Sequence, residues 1–109
     1  MVTFDDFMKL DIRVGTILEA KIFEKAKKPA YQLIIDFGEE IGIKKSSAQI
    51  TEVYNCNDLI GKQILAVVNF PSRQIADFMS EVLVLGTYSA QGVVLIRPDI
   101  LVSNGDKLG

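Results

Sequence analysis

Apolar positions change their spacing twice along this chain, and each spacing predicts a different element. In "TFDDFMKL" (residues 3–10), Phe4, Phe7 and Met8 recur at the i, i+3, i+4 spacing of one helix face. Thr3 stands at the N-cap position. Asp6, at the third helical position, completes a capping-box pattern and suits the positive end of the helix. Large apolar groups on so short a helix must dock on the body of the molecule or on a second copy. From Ile12 the period falls to two. "IRVGTILEAKIF" places Ile12, Val14, Thr16, Leu18 and Ala20 on one face of a first strand. Gly15 within it predicts a bulge or tight bend, the device that coils the first strand of a small barrel.

Further along, "EKAKKPA" is a charged loop ended by Pro29, and "YQLIIDFG" is a second strand. "EEIG" is a turn with Gly42 available for positive φ, and "IKKSSAQI" is a third strand with exposed polar residues. "TEVYNCNDLIG" reads as a helical turn, with Thr51 as N-cap and Gly61 as terminator. "KQILAVVNF" is nearly continuous in apolar residues and is expected to be buried on both faces. "PSRQIADFM" reads as a loop, "SEVLVLG" as a fifth strand, and "TYSAQG" as a turn into "VVLIRPD". The tail "ILVSNGDKLG" carries an Asn-Gly turn signal. The pattern predicts an all-β chain: one domain over residues 1–109, folded as a small closed barrel of the OB type. A short N-terminal helix precedes the barrel, a helical turn separates strands three and four, and extension strands follow at the C-terminus. No amphipathic helix of about ten residues or more separates any strand pair, which argues against a doubly wound sheet.

Composition adds a second expectation. Of 109 residues, 49% are hydrophobic even before the 8 glycines are counted. Ordinary soluble domains reach about 45–50% only with glycine included. A small core has little room for that excess, and the remainder forms a surface patch. A homodimer with an apolar interface is the expected outcome. No apolar run approaches the roughly 20 residues that a membrane-spanning helix needs, so no membrane insertion and a cytoplasmic location are expected.

The formal net charge is −2, unlike a generic nucleic-acid binder, yet Lys21, Lys25, Lys27, Lys28, Lys44 and Lys45 fall close together in sequence. With no His and only Cys56, neither a structural zinc site nor a Cys–His or Ser–His pair is available. Asp5 with Asp6 and Glu39 with Glu40 are neighbours in helical or turn contexts, where solvated carboxylates are the norm. No phosphate-binding glycine loop is present. The chain is expected to be no enzyme and to need no cofactor.

Three segments resemble a known family. "LDIRVGTI" is similar to the first-strand signature of the tRNA-binding domain family, which includes the C-terminal domain of bacterial methionyl-tRNA synthetases. "NFPSRQIADFMSEVLVLG" resembles its second signature: an Asn, an Arg in the following loop, then a Ser opening an apolar strand. "GIKKSSAQIT" resembles the CsaA-type branch, described as protein-export chaperones. The resemblance implies an OB-fold homodimer whose interface uses the N-terminal helix (residues 1–10) and the C-terminal strands. It also implies two kinds of ligand: unfolded precursor polypeptides together with the SecA translocation ATPase, or tRNA. Ser72 stands where relatives often have Pro and Asp77 where many have Gly. Asp77, four residues after Arg73, is placed to pair with it and mute its charge.

For RNA, a basic face would draw on Lys27, Lys28, Lys44, Lys45 and Arg73, with Ser46, Ser47, Asn69 and Ser80 supplying hydrogen bonds. Adjacent on a strand, Lys44 and Lys45 point to opposite faces, so at most one serves the same groove as Ser46. Tyr31, Phe37 and Phe70 lie in or beside apolar strands and are expected in the core, which favours recognition of RNA shape over base stacking. For polypeptide, Phe4, Phe7, Met8, Phe78 and Met79 would line a groove or seal the dimer seam. The small side chains of "SSAQI" would let another backbone approach for strand addition.

Overall fold

The computed structural model describes residues 1–109 and is built almost wholly of strands. The elements run α1 (Phe4–Met8), β1 (Ile12–Ile22), β2 (Tyr31–Asp36), α2 (Gly38–Ile41), β3 (Ile43–Ala48), α3 (Cys56–Leu59) and β4 (Gln63–Val67). The short strands β5 (Arg73–Ile75), β6 (Phe78–Ser80), β7 (Leu83–Val84), β8 (Gly86–Ser89) and β9 (Gly92–Leu95) follow. Five strands form one antiparallel sheet in the order β3-β2-β1-β4-β7, while β5–β6 and β8–β9 are separate hairpins. The large sheet curls into a nearly closed barrel of the OB type, as the pattern predicted.

Curling begins in β1. Its first half pairs with β4 and its second half with β2, and Thr16 belongs to both registers. The register slips between Ile17 and Glu19, so the bulge sits at Leu18 and not at Gly15. One extra residue inverts the alternation of side chains. Ile12 and Val14 therefore face outward, Gly15 and Ile17 face the barrel interior, and Leu18 is left exposed. Gly15 has a different job from the one expected. A Cβ there would lie 2.6 Å from Ile35 Cγ2 and 2.7 Å from the Phe37 ring. It is the point where two fully buried side chains press against the first strand.

Two apolar layers result. Inside the barrel, Ile17, Leu33, Ile35, Phe37, Leu59 and Ile64 are wholly buried. Outside it, Ile12, Val14, Leu65 and Val67 form a second layer under Phe7, Leu10 and Leu85. All five residues of β4 are buried because its two faces serve the two layers, in line with its nearly continuous apolar sequence after Gln63. Each fully buried Ile, Leu, Val or Phe side chain in these layers contributes on the order of 1.5–3 kcal/mol by leaving water.

Caps and turns follow the sequence with one exception. Thr3 and Asp6 make the expected capping box on α1, and Asp6 is held below the usual carboxylate range chiefly by the Thr3 backbone N–H. At α3 the capping box is Asn55 with Asp58, not Thr51, because the helix starts later than the pattern implied. Gly42 takes φ +87°, as anticipated. Gly105 (φ +93°) turns the tail so that its N–H reaches Val14 O and Leu108 N–H reaches Ile12 O, adding an edge to β1. Arg13 fixes this tail. Its guanidinium donates to Asp11 (2.6 Å), to Gly105 O (3.0 Å) and to Glu40 (3.3 Å). The Asp11 bond comes first among the causes that raise its pKa.

The last joint of the barrel is made differently from the others. β3 and the segment after β6 meet through one backbone bond, Glu81 N–H to Lys45 O (2.8 Å). Side chains supply the rest. Glu81 Oε1 accepts from Lys45 N–H (3.0 Å), Ser80 Oγ accepts from Ser47 N–H (3.0 Å), and Ser46 Oγ donates to Val82 O (3.1 Å).

Candidate binding groove

Beyond that joint, the end of β3, the β5–β6 hairpin, β7 and β8 enclose an open groove of about 640 Å³. Phe70, Ile75, Leu83, Val84, Tyr88 and Val93 supply its apolar lining, and Arg73, Ser47 and Ser80 its polar one. A second cleft of about 490 Å³ adjoins it, sharing Gln49, Tyr88 and Val93 and containing Lys28.

Arg73 opens β5, so "PSRQIADFM" is a hairpin and not a loop. Its turn places Ala76 at φ 53°, the one non-glycine residue with positive φ. Arg73 is exposed, lines the groove and forms no ion pair. The expected Arg73–Asp77 pair is absent. The hairpin turn carries Asp77 away from Arg73 to Lys25 Nζ, 2.8 Å distant, and that hydrogen bond leads the causes lowering the Asp77 pKa. Glu81 is occupied by the Lys45 N–H. Arg73 therefore stands at the groove without a carboxylate partner.

The other candidate residues divide by position. Ser47 and Ser80 line the groove, although the Ser80 hydroxyl already accepts the Ser47 N–H. Ser46 is a correction. It is fully buried and bonded to Val82 O, because β3 turns it inward to close the barrel. Lys45 Nζ sits 5.4 Å above the Phe78 ring, a cation–π contact, and neither Lys44 nor Lys45 lines the groove. Lys27 and Lys28 are exposed, with Lys28 reaching the adjoining cleft.

Asn69 is exposed and holds a neighbouring element. Its amide oxygen accepts from Asp11 N–H (2.9 Å) and its nitrogen donates to Lys9 O (2.8 Å), clamping the end of α1. Each end of the amide makes one of these bonds, which gives Asn69 a structural role. Asn69→Ala should lower stability by about 1 kcal/mol and speed amide exchange throughout α1 while leaving barrel amides unchanged. Hydrogen-exchange mass spectrometry checks this.

Of the apolar candidates, Phe78 is buried against Phe23 and Ala30, its ring 5.4 Å from that of Phe23 in an edge-on contact. It anchors the hairpin and is unavailable to a ligand. Phe7 is partly covered on the outer layer, whereas Phe4, Met8 and Met79 are exposed. Tyr31 and Phe37 are core residues as expected. Tyr31 donates to Tyr54 O, and burial raises its pKa. Phe70 is not: it is exposed at the groove.

Tyr88 was missed from sequence. It is 96% exposed and lies between the groove and its neighbour. An aromatic amid the polar residues of "TYSAQG" was the available signal. No group of three or more His, Cys, Asp or Glu side chains gathers to hold a metal ion. No helix is long and apolar enough to cross a membrane.

Comparison with known proteins now bears on this geometry. Residues 12–107 match the model of the tRNA binding domain family. The chain is 37% identical over 100 residues to a methionine–tRNA ligase of Methanococcoides burtonii, which covers 91% of the chain. It is 40% identical over 97 residues to that of Francisella tularensis, which covers 88%. The chain spans only 14% of the length of these ligases. Among solved structures, the CsaA chaperone protein from Picrophilus torridus shares 56% identity over the whole of both chains, with a TM-score of 0.96. The chaperone CsaA from Bacillus anthracis shares 54% over 100% of this chain and 99% of that one, with a TM-score of 0.93. Barrel, signatures and whole-chain similarity agree: this chain belongs to the tRNA binding domain family, in its CsaA-type branch.

Proposed function

We propose that this chain is a non-catalytic binding protein that works as a cytoplasmic homodimer and holds unfolded precursor polypeptides, with the SecA translocation ATPase as a downstream partner. One observation carries the reading: an open, mainly apolar groove that leaves Phe70, Leu83 and Tyr88 exposed to water. Apolar groups held in a concave, water-filled surface gain free energy when a non-native segment covers them. The whole-chain kinship with CsaA chaperones supports the same assignment.

The dimer seam in this reading is the outer layer. α1 lies over that layer through Phe7 and leaves Phe4 exposed. The tail passes Leu65 at Ile96 and Gln63 at Val102, with Ile100 and Leu101 exposed between them.

The second reading, tRNA binding, is favoured by the unpaired Arg73 together with exposed Lys27 and Lys28, and by the family itself. It is weakened because Lys25 is paired, Lys45 lies over Phe78 and Ser46 is inside. Salt titration and competition separate the two. Capture through the groove predicts peptide affinity nearly independent of salt, whereas phosphate contacts predict affinity falling steeply. Converting Lys28, Lys45 and Arg73 together to Glu should abolish tRNA binding and leave apolar peptide capture within a few-fold. Unchanged tRNA binding in that triple variant defeats the basic face. Loss of peptide binding at high salt defeats the apolar groove.

A further inference from the structure

β8 has a free side. The hairpin β8–β9 is an isolated two-stranded sheet, with Gly86 opposite Leu95, Thr87 opposite Val94, Tyr88 opposite Val93 and Ser89 opposite Gly92. Ile96 N–H donates to Leu85 O (3.2 Å), so the pair just below the hairpin is hydrogen-bonded. In an antiparallel ladder bonded and non-bonded pairs alternate. The 87–94 and 89–92 pairs are therefore bonded and the 86–95 and 88–93 pairs are not. Leu95 N–H confirms the phase, since it leaves the ladder and donates to Tyr54 Oη at 3.0 Å. The N–H and C=O groups of Gly86 and Tyr88 must then project from the opposite edge of β8, and none of them bonds to any other element.

That edge borders the groove, where both Gly86 and Tyr88 line the wall. It carries neither a charged residue nor a proline of the kind that guards exposed edges. The β3 edge, where small serines suggested strand addition, is closed by Ser80 and Glu81 and is not available. Charge points to the same occupant. Arg73, without an ion-pair partner, stands at the rim of the same groove, suited to an acidic side chain next to the apolar segment.

The geometry points to β8 as a strand-addition site. An extended polypeptide segment pairs its backbone with Gly86 and Tyr88, sinks alternate apolar side chains into the groove, and sets an acidic residue against Arg73. This rests on the polypeptide reading and specifies the form of the substrate. Recognition through main chain explains how one small groove can accept many sequences, since every residue except proline offers the same donor and acceptor.

The experiment uses an end-blocked nonapeptide of alternating leucine and threonine with one flanking aspartate, measured by fluorescence anisotropy against the full chain. Two N-methylated twins carry methyl groups on either the leucine or the threonine amides. In an antiparallel pairing the groove-facing leucines are the residues bonded to Tyr88, so leucine methylation should weaken binding at least tenfold and threonine methylation little. The reverse selectivity would mean parallel addition and equally supports the site. Equal binding of both twins and the parent overturns strand addition while the polypeptide reading stands. No binding of the parent peptide overturns that reading instead. Amide exchange gives an independent check. The Gly86 and Tyr88 N–H groups should exchange fast in the free protein and slowly with peptide bound. Protection already present without peptide would give the edge to a second copy of the chain and overturn the proposal. The increment in affinity from aspartate should vanish in Arg73→Gln, and its persistence would remove Arg73 from the site.

Discussion

Gly15→Val is expected to leave the chain largely unfolded at 37 °C, and Gly15→Ala to cost about 2 kcal/mol, lowering Tm by on the order of 10 °C. The reason is purely spatial. A single added carbon meets Ile35 Cγ2 at 2.6 Å and Phe37 Cδ1 and Cε1 at 2.7 Å. Neither neighbour has room to retreat, for both are wholly buried, and a β-branched isoleucine is stiff at its first torsion. Restricting the unfolded chain by adding a Cβ would return about 0.4–1 kcal/mol, which is smaller than the overpacking cost. Shrinking the partner should relieve the strain. Gly15→Ala combined with Phe37→Leu, which removes Cε1, should cost less than the sum of its parts. Thermal unfolding followed by circular dichroism measures all three variants, and an unchanged Tm in Gly15→Ala would refute this account of the first strand.

The second large effect concerns association. The chain should sediment at twice its 12.1 kDa mass, and the double change Phe4→Glu with Leu101→Glu should return it to a single copy at micromolar concentration. Phe4 and Leu101 are 72% and 83% exposed in the isolated chain, on the two segments that flank the outer apolar layer. In a two-fold pairing each substitution occurs twice, so the seam would have to bury unpartnered carboxylates at several kcal/mol apiece. The solitary chain, with those carboxylates in water, should still fold, at a midpoint lowered by the loss of the stabilisation that association adds. Analytical ultracentrifugation decides the matter, and an unsubstituted chain that sediments alone would defeat the pairing.

Much of the barrel was legible because its signals are local. The capping box of Thr3 and Asp6, the nearly continuous apolar run of β4 and the positive φ of Gly42 each depend on neighbours in sequence. Gly15 was recognisable as special, but its reason was not. Periodicity places a glycine without identifying what lies across from it, and Ile35 and Phe37 arrive only when β2 folds over. The bulge at Leu18 likewise moved Ile12 and Val14 to the outer layer, a shift that no alternating pattern announces.

The groove was harder to read. Arg73 was identified, yet its partner was assigned to the nearby Asp77, whereas Asp77 pairs with Lys25 from a distant loop. Ser46 is consumed by the fold, and Asn69 holds the end of α1, a contact that its sequence position does not announce. Phe78 and Phe70 exchanged roles for a reason of register: β6 turns Phe78 toward Phe23, while Phe70 falls outside any strand. Tyr88 went unnoticed because a residue that touches little leaves no trace in an apolar pattern.

Closure through the Ser80 and Glu81 side chains has a mechanical consequence. Elsewhere in the cylinder, freeing a backbone donor means parting two staves along their length. At Lys45 and Ser47 a rotation of one carboxylate or one hydroxyl suffices. The wall thus has a latch where its other joints are seams, and the latch lies beside the mouth through which a visitor would enter.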